Sequence, residues 1–165
     1  MTKRYFLMMA AMLAATFAVG SASGQTARKA VSGKEVTGTF RMAYTGKFRG
    51  SYNEIKIQAL GGGKLKVGFD LVYPYVDGTG ELSANMGQML GEASISGDEA
   101  IFRSTENSEY TGGECEIRIK FTKPGVIDVK HIGDLSPCGF GFNVSANGSY
   151  RKSSSVKPNF SEFDH

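Results

Sequence analysis

The stretch Cys115-Glu116-Ile117-Arg118-Ile119-Lys120-Phe121 alternates apolar and charged residues without a break. Side chains at every second position of a β-strand point to the same face, so the four apolar residues share one face and the three charged residues share the other. Such alternation is typical of an antiparallel strand with one face in the core and the other in water. The stretch therefore predicts a half-buried antiparallel sheet.

The same alternation recurs along the chain, and glycine-rich turns separate the segments that carry it. Alternating segments lie at 36–42, 54–59 and 64–71, and turns are predicted at 61–63, 96–99 and 123–125. Glycine and proline supply the dihedral angles that such turns need. No window after the first 24 residues carries an extended helical period. We therefore predict one all-β domain, a single antiparallel barrel or sandwich of about eight or nine strands.

Two similar motifs near the ends of the domain favour the barrel over the sandwich. The first predicted strand contains Gly38-Thr39-Phe40-Arg41 and the last contains Gly148-Ser149-Tyr150-Arg151, each with a glycine two residues before an aromatic residue. A glycine lets a strand coil sharply, and a neighbouring aromatic ring can cover the gap. If these strands pair, the sheet closes and loses its exposed edges. The sandwich remains the alternative, because strand counting does not separate the two.

The first 24 residues have the pattern of a secretory signal peptide. Lys3 and Arg4 precede an apolar run from Tyr5 to Val19, and small residues follow at 20–24. A membrane anchor is the alternative, but a spanning helix needs about 18 or more apolar residues. We therefore expect a periplasmic or secreted protein of the bacterial envelope, with no transmembrane segment after cleavage.

The predicted organisation has four parts: a signal peptide at 1–24, a flexible lead-in at 25–34, the all-β domain at 35–152 and a flexible tail at 153–165. The tail is inferred from its serines, its proline and its charges. Removing Lys3 and Arg4 from the 19 basic side chains leaves 17 against 16 acidic ones. A nearly neutral domain without a run of lysines and arginines is not expected to bind nucleic acid.

The two cysteines, Cys115 and Cys138, are predicted to form a disulfide, because an oxidising compartment favours one. The bond would close a loop of about 24 residues and stabilise the fold by about 3 kcal/mol in the chain-entropy model. A free thiol pair and a metal site are the alternatives, but no histidine or further cysteine lies at metal-ligand spacing around either residue. The alternation of Cys138-Gly139-Phe140-Gly141-Phe142 continues towards Tyr150, so Cys138 is expected to tie down the start of the last strand.

No arrangement typical of catalysis stands out, and we expect neither an enzyme nor a cofactor or metal site. His165 is the last residue, and His131 ends a predicted strand, where a packed role is more usual than a catalytic one. The acidic residues Glu106, Glu109 and Glu114 have the side chain that a wall-directed glycosidase needs in a pair. A solvated acidic loop is the simpler interpretation of this cluster.

Two groups of residues are candidates for binding, so we expect a non-enzymatic binding module. The first group combines aromatic and methionine side chains that would line a small apolar ligand at a barrel mouth: Tyr73, Tyr75, Met86 and Met89. A core role with a loop anchor is the alternative for these four residues. The second group lies in the segment 104–113 and would contact a protein partner: Glu106, Glu109 and Tyr110.

The C-terminal stretch Cys138-Gly139-Phe140-Gly141-Phe142-Asn143-Val144, together with Gly148-Ser149-Tyr150-Arg151-Lys152, resembles the terminal signature of small exported bacterial proteins. Some of these domains are associated with lysozyme-inhibitor proteins of the LprI type. The chain lacks the cysteine-rich helical region of the LprI domain and the serine-glycine loop motif of the small-barrel periplasmic lysozyme inhibitors. The resemblance implies an exported bacterial β-domain, with lysozyme as a candidate partner. Because lysozymes are usually basic, the acidic segment 104–113 is the part of the chain expected to contact the enzyme.

Overall fold

The structure, a computed structural model, describes residues 30–163, so the predicted signal peptide, the first part of the lead-in and the last two residues lie outside it. The described chain forms a closed barrel of eight antiparallel strands in sequence order. The strands are β1 Gly38–Ala43, β2 Tyr52–Gly61, β3 Lys64–Val76, β4 Leu82–Ser96, β5 Glu99–Ser104, β6 Cys115–Lys123, β7 Val126–Ile132 and β8 Gly148–Ser154. Two short helices are α1 Gly33–Val36 and α2 Ser108–Thr111. Within residues 30–163, no helix has the length and apolar character needed to cross a bilayer.

The first and last strands close the barrel, which confirms the barrel over the sandwich. β1 and β8 pair antiparallel, with Arg41 opposite Arg151. Gly38 and Gly148 have φ angles of 149° and 151°, a backbone conformation that residues with a side chain rarely adopt. A Cβ on Gly38 would overlap the carbonyl oxygen of Ser154 in the paired strand. Glycine is therefore required where the two strands meet.

Apolar side chains fill the interior of the barrel. The apolar face predicted in β6 is buried along its whole length, whereas Arg118 and Lys120 on the other face are exposed. The rings of Phe69 and Phe102 meet edge to face at the centre, with their centroids 5.1 Å apart. Within residues 30–163 buried apolar side chains occupy the interior, so we expect a ligand to bind at the rim of the barrel or on its outer surface.

The β3–β4 hairpin extends beyond the other strands at one end of the barrel. β4 pairs with the whole of β3, as far as Val76 opposite Leu82. The pairing of β2 with β3 ends at Glu54 and Asp70, and β5 pairs only with residues 93–96 of β4. The projecting part of the hairpin therefore forms one wall of an open end, which we call the mouth.

The expectation that Cys138 begins the last strand is wrong, because that strand starts ten residues later. Ser136–Cys138 is a 3₁₀ turn, and β8 begins only at Gly148. Between them, Asn143 has a φ of 62°, a left-handed conformation that interrupts any extended strand. The segment after Cys138 has the alternation of a strand in its sequence, but it does not form one in the structure.

The β7–β8 segment, residues 139–147, instead lies along the edge of β4 near the mouth. The N–H of Gly141 donates to the carbonyl oxygen of Met86 at 3.2 Å. Val144 and Ala146 are buried and belong to the core. The segment therefore covers the part of β4 that β5 does not pair with.

Part of the tail predicted at 153–165 lies against the outer face of the barrel, where Phe160 and Phe163 contact β3. β8 itself runs to Ser154, beyond the predicted boundary at 152. Phe160 is only 7% exposed. The ring of Phe163 occupies the space that a side chain at Gly68 would need. The tail docks because Gly68 leaves a notch in the outer face of β3, and the two aromatic rings fill it.

A cluster of ion pairs lies beneath this tail on the outer face of β1 and β2. Glu54 is buried and pairs with Arg41 at 2.5 Å and with Lys56 at 3.8 Å. Lys56 also contacts Glu162 at 2.5 Å and donates to the carbonyl oxygen of Asn159 at 3.0 Å. The buried carboxylate is thus compensated by two cations, and one of them holds the tail in place.

The described part of the predicted lead-in, residues 30–34, is also packed against the barrel. The N–H of Val31 donates to the carbonyl oxygen of Gly97 at 3.2 Å, and its side chain packs on the core. Ser32 caps α1 by accepting from the N–H of Glu35. The apolar side chains of Val31 and Val36 cover the end of the barrel opposite the mouth.

Candidate functional site

The four residues predicted to line an apolar mouth are separated by the alternation of β3 and β4. Tyr73 and Tyr75 lie on one face of β3, where the hairpin projects. Met89 is 4% exposed and belongs to the core, whereas Met86 is 60% exposed. Residues an odd number of positions apart in a strand point to opposite faces, so the two methionines cannot line one site. The structure thus keeps the tyrosines at the mouth and removes the methionines from that set.

The mouth contains a cleft of about 450 Å³, which we call the mouth cleft. Its lining comprises Tyr73, Tyr75 and Asn85 from the hairpin, and Phe142 and Asn143 from the β7–β8 segment. Its volume falls in the range of about 300–1,000 Å³ that is usual for small-molecule sites. The lining has three aromatic rings, two carboxamides and no formal charge.

Hydrogen bonds hold the two walls of the mouth cleft together. The Nδ2 of Asn85 donates to the carbonyl oxygen of Phe142 at 2.7 Å, which ties the β7–β8 segment to the hairpin. The hydroxyl of Ser83 donates to that of Tyr75 at 3.2 Å. Within 30–163, Asn143 is the one residue other than glycine with a positive φ, and asparagine tolerates that conformation better than most residues. These hydrogen bonds therefore fix the shape of the cleft before a ligand binds.

A buried polar network supports the hairpin beside Tyr73. Asn53 is almost fully buried, and its Oδ1 accepts from the N–H of Val72 at 2.8 Å. The hydroxyl of Tyr44 donates to the carbonyl oxygen of Val72 at 2.7 Å. Burial raises the pKa of the Tyr44 and Tyr150 hydroxyls, so both stay neutral. Side chains thus satisfy the backbone of β3 where β2 no longer pairs with it.

The predicted Cys115–Cys138 disulfide is present and anchors the turn before the β7–β8 segment to the start of β6. The Nδ1 of His131 lies 3.5 Å from the Cys138 sulfur, and its Nε2 accepts from the N–H of Ala146 at 3.3 Å. Its ring meets that of Phe140 edge to face. Desolvation lowers the pKa of His131 to about 4. His131 is therefore a neutral, packed residue that supports the segment.

We expect His131 to make the protein less stable in mild acid. The pKa of His131 is about 4 in the folded protein, against 6.5 for a histidine that water reaches in the unfolded chain. The unfolded chain therefore binds the proton more readily, so stability falls as the pH drops from about 6.5 to about 4, and this residue adds no further loss below that. Because solvent reaches part of the ring and screens its charge, we expect the free energy of unfolding to fall by only about 1 kcal/mol between pH 7 and pH 5. Urea denaturation at the two pH values measures it, and His131→Gln should flatten the difference. An equal pH dependence in both proteins would contradict this role.

The predicted partner-loop residues lie on a different loop at the same end of the barrel. Tyr110 is 89% exposed on α2. Glu106 and Glu109 are exposed as well. Glu114 lies 3.9 Å from Arg103 in an ion pair. None of the three glutamates lines the mouth cleft, so the paired carboxylates of a glycosidase are not assembled there.

Sequence reasoning identified the two tyrosines of the mouth cleft but missed Asn85, Phe142 and Asn143. The parity of β4 separates Asn85 from its neighbour Met86, and this signal was available in the sequence. Phe142 and Asn143 lie in a segment whose alternation predicted a strand. Only long-range packing places that segment beside the hairpin.

The mouth cleft is thus an uncharged site of aromatic rings and carboxamides at the rim of a closed, disulfide-bonded barrel. Comparison of the chain with protein-family models, with curated proteins and with solved structures finds no match.

Proposed function

We propose that the protein is a non-enzymatic binding module that holds a small ligand with an apolar face in the mouth cleft. The observation that carries this proposal is the cleft of about 450 Å³, lined by three aromatic rings and two carboxamides. Ligand sites typically combine an apolar lining with a few placed polar groups, and barrel mouths are a common place for them. Because apolar side chains fill the core, the rim is the expected place for a ligand to bind.

The exposure of Phe142 supports the same function. Its side chain is 81% exposed, although its carbonyl oxygen is held by Asn85. Burying a phenylalanine side chain contributes about 1.5–3 kcal/mol, which this ring does not gain in the free protein. Because the backbone that carries this ring is already held, a ligand that covers it has to order only the side chain.

We propose the periplasm or the extracellular space as the place where the protein acts. The Cys115–Cys138 disulfide supports an oxidising compartment. The charged and apolar pattern of the first 24 residues supports export. Detection of the mature chain in a periplasmic or culture fraction tests this placement.

A thermal-shift screen of the protein against small neutral compounds tests the binding function. A ligand at a hundred times its dissociation constant is expected to stabilise the fold by about 2.7 kcal/mol. Tyr73→Ser and Phe142→Ser should each weaken that stabilisation, because both remove a ring from the cleft. Tyr110→Ser is the matched control, since it removes an exposed ring from another loop. Stabilisation by no compound, or equal stabilisation of all variants, contradicts the proposal.

A second candidate function is inhibition of lysozyme or another wall hydrolase by the segment 104–113. It is favoured by Tyr110, which is 89% exposed beside the exposed Glu109. An acidic loop complements the cleft of a basic enzyme. A turbidity assay with a micromolar excess of the protein should show slower lysis, and the double change Glu109→Gln, Tyr110→Ala should restore it. Unaltered lysis excludes this function for the lysozyme tested.

A further inference from the structure

The charge distribution of the mouth cleft favours a neutral ligand. None of its five lining residues carries a formal charge. Asp77 of the hairpin turn is not among the lining residues, and its Oδ1 accepts from the N–H groups of Thr79 and Glu81 at 2.9 and 3.0 Å. A charged ligand in a partly desolvated cleft needs an opposite charge as partner. The lining offers none.

The two carboxamides of the cleft offer hydrogen bonds in both directions. Asn85 uses one N–H on the carbonyl oxygen of Phe142, and among residues 30–163 its amide oxygen has no partner. Asn143 is exposed, and its side chain makes no hydrogen bond within the part of the chain that the structure describes. A carboxamide places a donor and an acceptor side by side, which matches two adjacent hydroxyl groups of a ligand. A purely apolar ligand would leave these groups unpaired.

The aromatic rings of the cleft add flat apolar surfaces to these amides. Tyr73 and Phe142 are both exposed and line the cleft, Tyr73 from the hairpin and Phe142 from the β7–β8 segment. The face of an aromatic ring carries partial negative charge, and it attracts groups with partial positive charge. The C–H groups on the flat side of a sugar ring are of this kind, and its hydroxyl groups point outward from the ring edge. One ligand class therefore satisfies the rings and the amides together.

We infer that the ligand of the mouth cleft is a neutral saccharide, stacked on Tyr73 and Phe142 and hydrogen-bonded by Asn85 and Asn143. The inference rests on the proposed function, because it names the ligand class of the same cleft. It requires no charge, no metal and no deep tunnel. The cleft lies at the rim of the barrel, so it admits one end or one face of a longer glycan.

Calorimetric titration of the protein with maltotriose, cellotriose and N,N′-diacetylchitobiose tests the inference. At least one of them should bind, and Tyr73→Ala and Phe142→Ala should each weaken its affinity by about tenfold or more through loss of a stacked ring. Phe142 is exposed, so its variant is expected to fold even where Tyr73→Ala does not. Tyr110→Ala is the matched control and should bind as the unmodified protein does. Co-sedimentation with insoluble cellulose and chitin separates recognition of a polymer from recognition of free oligosaccharide.

The neutral apolar probe N-phenyl-1-naphthylamine separates failure of the inference from failure of the proposed function. If the probe binds in a Tyr73-dependent manner and no saccharide binds, the ligand class is overturned and the binding function stands. If neither the probe nor a saccharide binds, both are overturned. Saccharide binding that survives loss of both rings overturns the assignment to this cleft.

Discussion

Replacing Cys115 and Cys138 together by alanine is expected to lower the free energy of unfolding by about 3 kcal/mol. The bond joins residues 23 positions apart, and both cysteines are buried in the core. Without it the unfolded chain gains freedom. The folded chain loses the tether between β6 and the turn that precedes the β7–β8 segment. Urea denaturation of the oxidised protein and the double variant measures the difference.

The same double variant should weaken ligand binding, because Phe142 and Asn143 lie four and five residues beyond the tether. Reduction of the unmodified protein serves as the matched control and should reproduce the loss of stability. Equal denaturation midpoints for oxidised and reduced protein would show that the disulfide does not constrain the fold.

Gly38→Ala is expected to destabilise the barrel by about 3 kcal/mol or more. The φ angle of 149° costs a residue with a side chain about 1–3 kcal/mol. The new Cβ would also overlap the carbonyl oxygen of Ser154, and that overlap adds about 1–3 kcal/mol. This carbonyl oxygen belongs to the backbone, so it cannot move away without disrupting the β1–β8 pairing. Urea denaturation measures the change.

Two further glycine variants act as controls for this prediction. Gly78→Ala lies in the β3–β4 turn with open space around it, and it should change stability by less than about 0.5 kcal/mol. Gly148→Ala should fall between the two, because its new Cβ meets the flexible side chain of Met42 instead of backbone. Equal losses of stability for Gly38→Ala and Gly78→Ala would contradict the close approach of β1 and β8 at Gly38.

The barrel was predictable from sequence because its strands have one buried and one exposed face. From Cys115 to Phe121 in β6 the apolar and charged positions alternate without exception, so strand type and burial follow directly from the residues. The glycine-aromatic motifs predicted closure because a glycine lets a strand coil sharply and a neighbouring aromatic ring covers the gap. The disulfide followed from two cysteines and the inferred compartment.

The docked tail and the second wall of the mouth cleft were not predictable in the same way. By its intrinsic propensity, a glycine such as Gly68 weakens a strand. Only the folded structure shows that Phe160 and Phe163 occupy the space that its missing side chain leaves. The β7–β8 segment has the alternation of a strand, yet Asn143 turns into the left-handed region. In both cases contacts between distant parts of the chain outweigh the local preference.

The pairing of β1 with β8 also determines when folding can finish. Lys152 donates to the carbonyl oxygens of Glu35 and Thr37, across 117 and 115 positions of the chain. Contacts of such long range form late, because the entropy of closing the loop is lost before they contribute. A chain that ends before Gly148 would therefore form an open sheet in which β1 and β7 each keep one partner strand and lack the other. Such a fragment would pair with other chains, so the last strand protects the protein from aggregation as much as it completes the barrel.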